Sequence, residues 1–181
     1  MSKNARKTFK QHVVEWLVTI AVGGGILYFF APPSWWQFGP LDASDRKPTP
    51  AFALPRAEGG SWDFGETRGR VVLVNYWATW CGPCRFETPG LVNIAKEFRE
   101  RGVEVVGVNV DEDRSLITPF VEKYGIDYPI LRPGPDPQIG DGPMSLPTSF
   151  LYDKQGRLAK KYTGIVLEST LRSDINELLA E

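Results

Sequence analysis

The chain has 181 residues, carries 21 Lys and Arg against 22 Asp and Glu for a net charge of −1, and is 42% hydrophobic. That size suits one globular domain with an appendage, and the near-zero charge supplies no basic surface of the kind nucleic-acid binding needs. Two cysteines and one histidine, His12, cannot furnish the about four ligands of a tetrahedral zinc site.

Lys3, Arg6, Lys7 and Lys10 form a basic arm over 1–12, ahead of the stretch 13–31, VVEWLVTIAVGGGILYFFA, whose single charge is Glu15. At 1.5 Å per residue that stretch reaches about 28 Å, close to a hydrocarbon core of about 30 Å, so a transmembrane anchor is expected. Glu15 lies within a turn of the basic end, where it can reach headgroups or pair with Lys10 or His12. A cleaved signal peptide is the alternative, with Thr19-Ile20-Ala21 as a passable cleavage site. The apolar run continues past that site through Ile26-Leu27-Tyr28-Phe29-Phe30, which favours the anchor. A buried soluble helix is a second alternative. Pro32-Pro33 and Trp35-Trp36 read as a helix stop followed by interfacial aromatics. Retained positive charge then puts the arm in the cytoplasm and everything after Pro32 outside. Gly23-Gly24-Gly25 allows a close helix contact but carries no assignment of oligomeric state.

The region 32–50, with Pro32, Pro33, Pro40, Pro48 and Pro50, reads as a stiff tether, and 51–181 as the folded domain. Ala51–Pro55 and Glu58–Phe64 look like two short strands around Gly59-Gly60. Arg70–Tyr76 is apolar nearly throughout, as a central strand buried on both faces should be. From Pro83 the spacing turns helical, with Phe86, Leu91, Ile94, Ala95 and Phe98 on one face, Gly102 as the stop and Pro89 predicting a bend. A strand over Val103–Val110, a helix over Arg114–Tyr124 and a strand over Tyr128–Leu131 follow, the alternation that builds a mainly parallel sheet with helices on its faces. Arg132–Met144, rich in proline and glycine, reads as a loop. Ser145–Tyr152, a turn at Asp153–Gly156, a strand over Arg157–Tyr162 and an amphipathic helix near Leu167–Leu179 complete the chain.

Both cysteines stand in Trp80-Cys81-Gly82-Pro83-Cys84, at the predicted strand-to-helix junction. Two thiols at that spacing close and reopen a small disulfide, carrying two electrons. A haem attachment needs His directly after the second cysteine, and Arg85 stands there. A purely structural disulfide would stabilise little, because the gain grows with loop length and this loop is short.

The run Val71-Val72-Leu73-Val74-Asn75-Tyr76-Trp77-Ala78-Thr79-Trp80-Cys81-Gly82-Pro83-Cys84-Arg85-Phe86-Glu87-Thr88-Pro89, with Leu146-Pro147-Thr148-Ser149-Phe150-Leu151 some sixty residues later, resembles the thioredoxin superfamily. Within it, the chain is similar to membrane-tethered TlpA-type thiol:disulfide oxidoreductases, over about 51–181. The resemblance implies a thioredoxin-like α/β fold: a central mixed sheet flanked by helices, with an N-terminal β extension, preceded by one transmembrane helix. It implies Cys81 as the attacking sulfur, its pKa lowered from about 8.5 by the helix N-terminus, and Cys84 as the resolving thiol. Gly82 and Pro83 shape the turn. Glu87, three residues after Cys84 on the same helical side, is implied in proton transfer; a solvated surface glutamate is the alternative. Asn75 stands where thioredoxin itself carries a buried aspartate. Pro147 matches the cis-proline beside the disulfide, leaving the Leu146 backbone to pair with an extended client segment. Trp80 is expected on the docking surface, with a plain core tryptophan as the alternative.

Gly82-Pro83 between the cysteines matches reducing members, so the chain is expected to reduce disulfides of exported proteins, with no metal and no cofactor beyond the Cys81–Cys84 disulfide. Apocytochrome thiols awaiting haem and oxidase copper-site thiols are the clients the resemblance suggests. It also implies a bacterial cytoplasmic membrane, a domain facing the periplasm or outside, and a transmembrane electron donor. The alternatives are a disulfide oxidant or isomerase and a non-catalytic binding module. A thiol peroxidase would need Pro-x-x-x-Thr-x-x-Cys; Val74 and Ala78 break that pattern. A copper chaperone would need a distant histidine ligand, and His12 is expected across the membrane.

Overall fold

Residues 13–19, 39–135 and 145–181 are described by the structure, a computed structural model. The chain divides into two units, Met1–Phe38 and Gly39–Glu181. In the first, 13–19 is helical. The basic arm, the rest of the expected anchor with Gly23–Gly25, and 32–38 of the expected tether lie outside the described residues, as does 136–144 of the expected loop. Among the described residues no helix is long and apolar enough to cross a membrane.

The second unit begins its regular structure with a hairpin, β1 (Ala53–Pro55) and β2 (Ser61–Asp63), antiparallel around Gly59 and Gly60. These two glycines have φ of 104° and 84°, a region side-chain-bearing residues avoid. Then come β3 (Val71–Trp77), α1 (Gly82–Phe98), β4 (Val103–Asn109), α2 (Ile117–Tyr124), β5 (Ile130–Leu131), β6 (Thr148–Tyr152), β7 (Leu158–Thr163) and α3 (Glu168–Ala180). The sheet runs β5-β4-β3-β6-β7. Helical crossovers make β3, β4 and β5 parallel, while β6 pairs antiparallel with β3 and with β7. The sheet is therefore mixed, as a thioredoxin-like fold requires.

Strand periodicity assigns the two faces. Val71, Leu73 and Trp77 of β3 join Leu151 of β6 and the helix residues Leu91, Ile94, Phe98, Leu171 and Ile175 in one core cluster. Val72, Val74 and Tyr76 point the other way, with Phe150 and Tyr152, onto Phe52, Leu54, Trp62 and Phe64 from the N-terminal hairpin region. That second face is lined with aromatics: Phe52 stacks on Phe64 at 4.8 Å, and Phe64 meets Tyr152 edge-on at 4.7 Å. Gly107 of β4 lets the Trp77 indole lie against the backbone, since a Cβ there would stand 2.8 Å from Trp77 Nε1.

The N-terminal residues also close the sheet's edges. Beside β5, the Arg132 N–H donates to the Pro55 carbonyl at 2.7 Å and the Ala57 N–H to the Ile130 carbonyl at 2.8 Å. Beside β7, the Leu41 N–H donates to the Ala159 carbonyl at 2.8 Å, and Pro48 bridges Arg157. Arg46 is buried and ion-paired with Asp153 at 3.2 Å and Glu181 at 2.6 Å. Thus part of the region read as tether lies against the sheet, through Leu41, Arg46, Pro48 and Thr49.

Two helical readings change in detail. Arg114–Leu116 is a 3-10 turn preceding α2, and Asp113 accepts from the Ser115 N–H to start it. Phe86 does not share the buried face of α1: it is 69% exposed. At 100° per residue it stands about 140° around the helix from Leu91. The buried stripe is instead Cys84, Glu87, Thr88, Leu91, Val92, Ile94, Ala95 and Phe98, which takes Glu87 inside. α1 runs through Pro89 without a break in its helical assignment.

Candidate functional site

β3 ends at Trp77 and α1 begins at Gly82, and the tight connection places the cysteines at the helix N-terminus. Cys81 is the N-cap, with φ −76° and ψ 108°, and its Sγ accepts the Cys84 N–H at 3.2 Å. A cap position favours a side chain able to accept from unpaired N–H groups, and a sulfur there gains the positive end of the helix dipole. Pro83 lies in the first turn, where a missing N–H costs nothing. The sulfurs of Cys81 and Cys84 are bonded to each other. Cys81 is 5% exposed and Cys84 1%, so an incoming sulfur meets Cys81 first.

Glu87 is 4% exposed, which removes the solvated-surface reading. Its Oε1 accepts from Asn75 Nδ2 at 2.8 Å and its Oε2 from the Val166 N–H at 3.1 Å. Asn75 Nδ2 also donates to Ser149 Oγ at 2.9 Å. This meeting follows from the strands: Asn75 shares the helix-facing side of β3 with Leu73 and Trp77, and Ser149 is its cross-strand partner on β6. Burial raises the Glu87 carboxyl above the ordinary carboxylate range, and the bonds from Val166 and Asn75 oppose the rise. Its charge and that of Asp127 act on the Tyr128 hydroxyl, itself pushed up chiefly by burial. One turn beyond Cys84, the site thus holds a buried carboxyl that binds its proton more tightly than an ordinary glutamate.

The Leu146–Pro147 peptide bond is cis. Leu146 is half-buried, and the Pro147 carbonyl accepts the Gly164 N–H at 2.9 Å, tying this loop to the segment before α3. Trp80 is 67% exposed and so is no core tryptophan. Gly82 and Pro83 are exposed beside it. Phe86, Ile165 and Leu167 add further exposed apolar side chains. Ser149, Val166 and the exposed position of Phe86 are not anticipated by the sequence. Ser149 was recoverable from strand register, whereas Val166 acts through a backbone N–H that no residue type announces.

A family model described as the AhpC/TSA family matches residues 46–174. Thiol-disulfide oxidoreductase ResA of Bacillus subtilis (strain 168) is 34% identical over 140 residues, covering 76% of this chain and 78% of that protein. The protein of the same name from Bacillus thuringiensis (strain Al Hakam) is 33% identical over 167 residues, covering 91% of each. Among solved structures, a secreted thiol-disulfide isomerase from Corynebacterium glutamicum superposes with a TM-score of 0.73 at 28% identity, covering 84% of this chain and 97% of that one.

Proposed function

The chain belongs to the AhpC/TSA family, within the thioredoxin superfamily, and is a thiol-disulfide oxidoreductase, and on that premise we propose that it reduces disulfides of exported proteins through Cys81 and Cys84. The observation that carries the reading is a redox-active pair at the first turn of α1 with a buried carboxyl one turn further on.

In the reduced protein the Cys81 thiolate attacks one sulfur of a client disulfide. A Cys81–client bond forms, and the other client sulfur leaves as a thiolate that takes a proton from solvent. Cys84 then passes its proton to Glu87 and attacks Cys81 Sγ. The Cys81–Cys84 bond forms, and the second client sulfur leaves and receives that proton. The client gains two electrons and two protons, and the chain ends as the disulfide described here. A dithiol donor must reopen it.

Gly82-Pro83 places no charged or imidazole group between the cysteines to hold the thiolate, which supports a reductant rather than a strong oxidant. An extended client segment docks on Trp80, Gly82, Pro83 and Leu146, with the buried Pro147 setting the Leu146 backbone through its cis bond. The hydropathy of 13–31 and the basic arm support a single-pass anchor in a bacterial cytoplasmic membrane with the domain outside, and the Corynebacterium relative described as secreted agrees with that side. There the electrons come from a transmembrane donor, and the clients include cysteine pairs of apocytochromes or of oxidase copper sites. The midpoint potential tests the direction: a value near thioredoxin's, about −270 mV, with cysteine-dependent insulin reduction, is expected, and one near about −120 mV overturns it.

A further inference from the structure

The turn that presents Cys81 is held from outside by a carboxylate with no part in the chemistry above. The Cys81 N–H donates to the Ala78 carbonyl at 3.2 Å, so 78–81 is a tight turn with Thr79 and Trp80 at its corners. Both polar groups of Thr79 that can donate go to one side chain: its N–H to Asp111 Oδ2 at 2.9 Å and its hydroxyl to Asp111 Oδ1 at 2.8 Å. Asp111 is 2% exposed and lies two residues beyond β4. It is itself fixed. Asn109 Nδ2 donates to Asp111 Oδ2 at 2.6 Å, and the Asp111 N–H donates to Asn109 Oδ1 at 3.1 Å. Arg132 Nη1 donates to that same Oδ1 at 2.8 Å and to the Asn109 carbonyl at 3.0 Å. One residue back, the Val110 N–H donates to the Trp77 carbonyl at 3.0 Å, tying the start of the turn to the same stretch of chain.

A buried carboxylate costs a great deal unless its donors are all in place, so this arrangement has little freedom to relax. Hydrogen bonds to an ionised acceptor are also roughly twice as strong as neutral ones. Two such bonds fall on the residue immediately before Trp80 and two before Cys81. The Trp80 ring itself stands in solvent.

We propose that Asp111 is a positioning residue for thiol-disulfide exchange: by clamping Thr79 it fixes the backbone turn that carries Trp80 and Cys81, so that a protein disulfide docked on Trp80 arrives in line for attack. Asn109 and Arg132 hold the clamp from behind. A small disulfide approaches the sulfur without docking and does not need that alignment. The inference rests on Cys81 being the attacking sulfur, a premise Cys81→Ser tests separately in the same assays, so the two failures fall on different variants.

The test compares single-turnover rate constants of the reduced full-length chain with insulin and with the small aromatic disulfide dithiobis(nitrobenzoate). Thr79→Val keeps the volume and the backbone N–H but loses the hydroxyl bond. It is expected to slow insulin about tenfold while staying within about twofold on the small disulfide, the scale of one lost bond to a charged acceptor. Asp111→Asn moves in the same direction, and Thr79→Ser, which keeps both donors, matches the parent on both substrates. An unchanged insulin rate in Thr79→Val overturns the clamp. So does an equal loss on both substrates, which is what a merely structural contact gives, and so does a slow Thr79→Ser.

Discussion

Replacing Glu87 with Gln separates proton handling from packing at the site. The side chain keeps its size, and its two donors, Asn75 Nδ2 at 2.8 Å and the Val166 N–H at 3.1 Å, then face one acceptor oxygen and one amide. Asn75 can turn its own amide, so at most one buried donor is left unpaired, a cost of about 1 to 3 kcal/mol in stability. The kinetic effect is distinct. General-base transfer contributes about 10² to 10⁴ in rate, and the lower end applies because a thiol of pKa about 8.5 also loses its proton to water. A loss of about 10² corresponds to about 2.7 kcal/mol of barrier. Reduced protein mixed with dithiobis(nitrobenzoate) releases one coloured thiolate when Cys81 attacks and a second when Cys84 resolves. Glu87→Gln is expected to slow the second phase about 100-fold near neutral pH and to leave the first within about twofold. In the parent the second phase should gain rate as Glu87 ionises, at a pH above the 4.5 of an ordinary glutamate, and that limb should vanish in the variant. A second phase with the same rate and pH profile in both proteins refutes the proton-transfer role.

The raised Glu87 carboxyl also sets a pH dependence of stability. The folded state holds the proton more tightly than the unfolded one, so this contribution is fully present below pH 4.5 and is lost as pH rises through the folded value; urea unfolding of the parent minus Glu87→Gln should fall across that window and flatten above it. Asn75→Ala removes a donor from Glu87 Oε1 and the partner of Ser149 Oγ in one step, and should cost about 1 to 3 kcal/mol by the same measurement. Cys84→Ser should trap client proteins on Cys81 as mixed disulfides visible on non-reducing gels, and the same change made together with Cys81→Ser should trap none. Gly107→Ala puts a methyl 2.8 Å from Trp77 Nε1 and 3.2 Å from Tyr128 Cε2, and should lower stability by about 1 to 3 kcal/mol, read as a lowered urea midpoint.

Most of the sheet was legible in the chain because its strands are short apolar runs bounded by glycine and proline, and Val71–Trp77 shows it: buried at every position, it could only be central. The paired cysteines and the cis bond at Pro147 were legible from spacing and resemblance together, whereas the sequence left Glu87 open between a site residue and a solvated surface glutamate. Phe86 departs from the expected face because the buried stripe of α1 runs through Cys84, Glu87 and Thr88, two of them polar. A buried glutamate disguises such a stripe, since nothing in the residue type says that Asn75 and a Val166 amide await it across the core. The clamp on Thr79 was hidden for another reason: Asp111 follows a strand as an ordinary acidic loop residue would, and only the fold brings it under the turn. Residues 39–50 read as spacer because proline density marks both free linkers and strands that border a sheet edge.

That bordering segment governs what a proteolytic cut near the start of the domain would leave behind. A cut ahead of Gly39 would shed a unit whose β7 edge still carries Leu41 and Pro48 and whose Asp153 still faces Arg46. A cut between Arg46 and Phe52 would let that strip dissociate, leaving Asp153 buried with Arg157 as its remaining cation and β7 open along its outer side. Bare strand edges recruit other strands. The second product would self-associate more readily than the first, although the cysteine pair is the same in both.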